Sequence, residues 1–157
     1  MLGGAARGDP IVRADGRIGA FRIDLTTEAQ LRARLGKPDR VEKRFFPPRK
    51  AAVGHTLLYR CGRRCQTAYS IDNSTGRLSD YWTTSQRFVT AHGSRVGMSG
   101  REAAQREGKR LVPGCGDGLY VHLRWDAGHQ FVLTVWHGMV DGIAYLGPHS
   151  VYYDGLC

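Results

Sequence analysis

The sequence predicts an α+β fold: two tandem helix-plus-antiparallel-sheet repeats, with the helices packed on one face of the sheet. Three observations lead there. First, Arg22-Ile23-Asp24-Leu25-Thr26-Thr27-Glu28-Ala29-Gln30-Leu31 lies over Arg95-Val96-Gly97-Met98-Ser99-Gly100-Arg101-Glu102-Ala103-Ala104 without a gap. Each copy is a short apolar turn, a hydroxyl residue and a helical pattern. Second, each copy is followed by strands ending in a glycine step, Gly76-Arg77-Leu78-Ser79-Asp80-Tyr81 and Gly138-Met139-Val140-Asp141-Gly142-Ile143. Third, the strand segments are consecutive and joined by tight-turn signals, which makes their sheet antiparallel. Helices on one face of such a sheet define the class.

In chain order, residues 1–16 are rich in Gly, Ala and Arg and read as a flexible N-terminal arm. The first repeat covers 17–90 and the second 91–157, together one compact unit. In the first, Thr26 or Thr27 caps a helix and Glu28 complements the positive end of its dipole. Leu31 and Leu35 face one side, and Gly36-Lys37-Pro38 stops the helix. Val41 to Phe46 follows as a strand and Arg49 to Gly54 as a loop. Strands on either side of Cys61-Gly62-Arg63-Arg64-Cys65 come next. Asp72-Asn73-Ser74-Thr75-Gly76 then turns the chain into a strand from Arg77 to Thr84. In the second repeat Ser99 caps a weaker helix, since Gly100 and Gly108 lower its propensity. Leu119 to Trp125, Gln130 to Trp136 and Met139 to Leu146 are its strands. Val151-Tyr152-Tyr153 adds a short edge.

The chain has 157 residues, enough for one ordinary domain or two very small ones. It has no apolar run long enough for a membrane helix. Its net charge of +9 is carried by 19 Arg and 4 Lys. Only Arg60, Arg63 and Arg64 cluster. Arginine suits bidentate carboxylate and phosphate contacts, so an anionic polymer, cell wall or nucleic acid, is the alternative partner. Abundant Ala, Arg and Gly also fit plain coding bias.

The four cysteines allow three pairings. A hairpin loop containing Gly62 sets Cys61 beside Cys65 near disulfide distance. Cys115 with Cys157 would close a loop of about 40 residues and stabilise by roughly 3–4 kcal/mol in the chain-entropy model. One bond per half is the preferred pairing, with free thiols or a metal site as the rivals. The six histidines are scattered and no pair has zinc-finger spacing, so no metal and no cofactor are expected. Disulfides imply an extracellular or cell-envelope setting. Met1 to Ala6 is too short and too poor in apolar residues to be a leader, which is therefore expected to have been removed or trimmed.

Alternation locates a candidate binding face. In Leu119 to Trp125 the inward set is Leu119, Val121 and Leu123, leaving Tyr120, His122 and Arg124 opposite. The return strand adds Thr134 and Trp136, and Tyr81 stands exposed in the first half. Tyr, Trp and Arg are the residue types enriched in interface hot spots. No nucleophile elbow, phosphate-binding loop or His-Glu-x-x-His motif is present. Nothing in the spacing of Asp24, Asp80 and Asp141 pairs their carboxylates. A non-catalytic protein is therefore expected, ahead of a small hydrolase.

Ile23-Asp24-Leu25-Thr26-Thr27-Glu28, Leu31 and Leu35-Gly36-Lys37-Pro38 in the first unit carry a family likeness, as do Val96-Gly97-Met98-Ser99 and Gly138 to Ile143 in the second. Each unit resembles the small module of the β-lactamase inhibitor protein family and of the SmpA/OmlA-like lipoproteins. The resemblance implies two modules, a disulfide in each, and an aromatic sheet face that grips a protein target. The second unit departs from it, with Gly108-Lys109-Arg110-Leu111 where the first has Leu35-Gly36-Lys37-Pro38. The reading is an extracytoplasmic, inhibitor-like binding protein with a protein partner.

Overall fold

Strands dominate the structure. The computed structural model describes residues 11–45, 51–114 and 116–151. Within them a small sheet joins β1 (Ile11–Val12), β2 (Arg17–Ile18), β3 (Phe21–Arg22) and β8 (Val89–Thr90) in the order β3-β2-β1-β8. A large sheet joins β4 (Arg40–Phe45), β5 (Ala52–Gly62), β6 (Cys65–Asp72), β7 (Arg77–Thr83), β9 (Leu111–Pro113), β10 (Leu119–Asp126), β11 (His129–Trp136) and β12 (Met139–Leu146). Its order is β4-β5-β6-β7-β12-β11-β10-β9, antiparallel throughout. Helices α1 (Glu28–Leu35) and α2 (Gly100–Glu107) have eight residues each.

The expected two-repeat α+β arrangement is thereby overturned: the protein is mostly β, and its halves share one sheet. Strands β7 and β12 pair across the halves, Thr83 with Ile143 through Asp80 with Leu146. Had each half closed its own sheet, both strands would be exposed edges with unpaired backbone groups. Each helix spans only about 12 Å and cannot cover a sheet face alone. The small sheet completes the cover. Residues from Ile11 onward, grouped with the flexible arm by composition, supply it: Val12 is fully buried. Residues 1–10 lie outside the described residues.

Helix and small sheet meet the large sheet over one inner face. Leu57, Tyr69, Tyr81, Tyr145, Phe131 and Arg124 form one cross-strand row on it. Tyr81 stacks on Tyr145 with ring centroids 5.9 Å apart, and Phe21 of the small sheet meets Tyr69 edge-on at 5.6 Å. Leu31 anchors α1, fully buried, while Leu35 is exposed at the helix end. Truncating such a buried leucine to alanine costs about 2–5 kcal/mol. α1 starts in a capping box between Thr27 and Gln30. α2 starts at Ser99, whose hydroxyl accepts from the Glu102 amide.

The glycines that made α2 look weak sit at its ends. A Cβ on Gly100 would stand 2.6 Å from Val135 Cγ1, so glycine lets the helix start close to the sheet. Gly108 is the left-handed C-cap at φ 61°.

Candidate interaction surface

The outer face of the large sheet turns away from the helices, and most predicted binding residues lie near it. Along the β10–β11 hairpin its rows are Trp125 with Gln130, His122 with Val132, Tyr120 with Thr134, and then Trp136 with Met139 of β12. The strip runs about 20 Å, six residues along β11. His122 lies edge-on between Tyr120 (centroids 5.7 Å) and Trp125 (4.4 Å). Trp125 is 61% exposed and Trp136 44% exposed. Thr134 is half-buried and donates to Asp141 at 2.7 Å. Tyr120 is buried: a Cβ on Gly114 would meet its ring at 2.8 Å.

Two of the predicted contact residues are elsewhere. Arg124 is on the inner face, because β10 bulges between His122 and Arg124 and pairs Arg124 with inward Phe131. Its guanidinium donates to Asp126 (2.6 Å), to the Ala14 carbonyl (2.9 Å) and to the Tyr145 hydroxyl (3.0 Å). Tyr145 itself donates to the Ala14 carbonyl. Arg124 is thus a latch that holds the turn after β1 to the sheet. Its hydrogen bond keeps the Asp126 carboxyl below the usual carboxylate range. The same bulge brings Trp125, which the alternation left unassigned, to the outer face beside Gln130. Tyr81, expected to be exposed, is 1% exposed on the inner face.

The middle of the outer face is closed as well, against the expectation of an open sheet. Ala68, Ala144 and Val132 are buried. Beyond β12, residues 147–151 fold back over β7. Asp80, wholly buried, accepts from the Ser79 and Ser150 hydroxyls (2.9 Å each) and from the Val151 amide (3.1 Å). Burial pushes its carboxyl above the usual range, against these hydrogen bonds. Gly54 lets Val151 approach, since a Cβ there would collide with Val151 Cγ1 and the Ile71 carbonyl.

Among the described residues, three histidine–carboxylate pairs went unseen in the sequence: His55 with Glu28 (2.7 Å), His92 with Glu107 (2.9 Å) and His129 with Asp126 (3.0 Å). Their partners come from different elements or across a turn, so spacing carried no signal for them. His55 has both ring nitrogens engaged, the second with Asn73 Oδ1 at 2.9 Å. Glu28 is held below its ordinary value: burial raises it, but the hydrogen bonds from Arg32 and His55 prevail. Among the described residues no three His, Cys, Asp or Glu side chains gather as a metal site.

Cys61 and Cys65 form the expected disulfide, Cα atoms 5.1 Å apart across the β5–β6 hairpin end. The Cys115–Cys157 pairing lies outside the described residues, as do Tyr152 and Tyr153. Among the described residues no helix is long and apolar enough to cross a membrane.

No protein-family model matches the chain, and no curated protein matches it. The fold is similar to that of a solved extracellular protein containing an SCP domain from Bacillus anthracis str. Ames. The TM-score is 0.51 at 9% identity, over 86% of this chain and 49% of that one. This chain therefore spans about half of that protein, and the likeness is one of fold.

Proposed function

We propose that the chain is a non-catalytic, extracytoplasmic binding protein that takes a protein partner, in inhibitor-like fashion, on the outer flank of β10 and β11. The observation that carries this is Trp125, 61% exposed yet held in edge contact with His122. A large aromatic side chain already fixed in one orientation loses little entropy on binding. Trp136 at the far end gives a second anchor, with Thr134 and His122 between them. The disulfide supports an oxidising compartment, and the fold likeness to a protein described as extracellular agrees with it.

The test is capture of a partner from extracellular extract under oxidising conditions. Trp125→Ala and Trp136→Ala are expected to fold normally and to weaken capture at least about tenfold, the effect of losing a hot spot. Arg124→Lys, altered on the inner face, should capture as well as the parent. If the parent retains no stoichiometric partner, or the Trp125→Ala protein retains it equally, the reading is wrong.

A second reading, binding of an anionic polymer, is supported by Arg60, Arg63 and Arg64, which line a hollow beside Trp82.

A further inference from the structure

The end of the β5–β6 hairpin is cross-linked and strongly cationic. Arg60, Arg63 and Arg64 are exposed there, and none has an ion-pair partner among the described residues. The Asp39 carboxylate accepts from the Arg60 backbone amide at 2.7 Å. The three arginines, with Gln66, Thr84 and the half-buried indole of Trp82, surround a hollow of about 430 Å³. Arg60 pairs with Gln66, and Trp82 with Ala68, so Arg60, Gln66 and Trp82 share the outer face.

The hollow is built to hold its shape. The Cys61–Cys65 bond closes the loop, and Arg64 sits at φ 59° in a left-handed turn whose carbonyl accepts from the Thr84 hydroxyl. Trp82 lies over Gly142, where a Cβ would stand 2.8 Å from the indole nitrogen and equally close to the Thr134 hydroxyl oxygen. Glycine there leaves the indole its seat.

We infer that this hollow binds an acidic sugar residue of an anionic polysaccharide, its ring on the Trp82 indole and its carboxylate or sulfate held by Arg60, Arg63 and Arg64. Guanidinium forks fit both anions, and the negative π face of an indole suits the C–H face of a pyranose. A single indole favours one ring over a nucleic-acid strand, whose binding uses successive aromatic platforms. The assignment rests on the anionic-polymer reading and gives it a site and a ligand class.

The experiment titrates the full chain, disulfide intact, with a heparin octasaccharide, a galacturonate octasaccharide and a single-stranded oligonucleotide. Four proteins are compared: the parent; Arg63→Ala/Arg64→Asn, whose asparagine suits the left-handed backbone; Gly142→Ala, which displaces the indole; and Arg13→Ala/Arg17→Ala, which removes equal charge elsewhere. The hairpin variant should lose about tenfold in affinity per arginine for one or both glycans. Gly142→Ala should weaken the glycan and leave the oligonucleotide unchanged, and the distant variant should bind as the parent does. Which glycan is preferred tells sulfate from carboxylate. If the parent binds none of the three, the anionic-polymer reading fails; if it binds the oligonucleotide alone, the reading stands and the glycan assignment falls. If the parent binds but both arginine variants lose affinity equally, or Gly142→Ala has no effect, the hollow is not the site. Tighter binding of the oligonucleotide than of either glycan overturns the ligand class. Circular dichroism confirms that each variant folds, and Trp82→Leu, which removes the π face, replaces Gly142→Ala if that variant does not.

Discussion

At the scale of single residues, one bulge decides where the site lies. Period-two alternation placed Tyr120, His122, Arg124, Thr134 and Trp136 on one face, and four of the five are there. Arg124 crossed to the other because β10 gains a residue between His122 and Arg124. A bulge leaves no trace in the apolar pattern of Val121-His122-Leu123-Arg124-Trp125, where Leu123 fits either register. Tyr81 was misplaced for another reason: a tyrosine carries an apolar ring and a polar tip, and the sequence does not say which the fold will use. Here the ring won. The Tyr81 hydroxyl is buried without a partner among the described residues. Tyr81→Phe is therefore expected to leave stability unchanged or raise it by up to about 1 kcal/mol, measured by urea unfolding. A loss above that would mean that the hydroxyl has a partner.

His122 gives a pH dependence at the same scale. Burial lowers its imidazole below the ordinary 6.5, and its Nδ1 is enclosed without a partner. Between the depressed folded value and 6.5 the unfolded chain binds more protons. The stability due to neutral His122 is thus complete above 6.5 and declines as pH falls from there toward the folded value. His122→Phe keeps the ring contacts and removes the proton. It should lose less stability than the parent between neutral pH and about pH 5. Equal losses in the two proteins would contradict this.

Among the elements, both helix starts were legible, and so were most of the long strands and the Cys61–Cys65 hairpin, because caps, glycine stops and turn chemistry act locally; β5 starts at Ala52, inside the stretch Arg49 to Gly54 that reads as loop. Thr27 and Ser99 cap α1 and α2, and each also bridges to the first residue of a strand, Arg77 or Met139. The gapless overlay had matched Thr26 with Ser99, so the first stretch carries one extra residue before its cap. The two-residue strands β1, β2, β3 and β8 were not legible: such runs are too short for any period to show. The segment 147–151 was hidden too, since Gly147-Pro148 announces a break and not where the chain goes next. Its docking rests on Asp80. Asp80→Ala strips the acceptor from Ser79, Ser150 and the Val151 amide and should cost about 3 kcal/mol. Amide exchange at Val151 should rise toward that of an open loop. Unchanged exchange would show that the segment is held by something else.

For the whole molecule, local signals gave the parts and missed the assembly. Nothing in Arg77 to Thr83 or Met139 to Leu146 announces that these strands pair with each other, since each reads as a strand of its own unit. The pairing follows from a global condition, that a buried sheet leaves no open edge at its centre. The edges that remain are blunted. β4 carries four charged residues, Arg40, Glu42, Lys43 and Arg44, and β9 is three residues long and ends in proline.

The β7–β12 seam also sets an order of events as the chain is made. Strand β7 ends at Thr83, and β12 starts only at Met139. A nascent chain released amino end first holds β4 through β7 with one long side unpaired until the last sheet strand arrives. During that interval the unpaired side fits the β12 of a neighbouring chain as well as its own. Two molecules that exchange their second halves there would each regain every sheet contact, so crowding during synthesis favours an intertwined dimer, and a slow, dilute start favours the monomer.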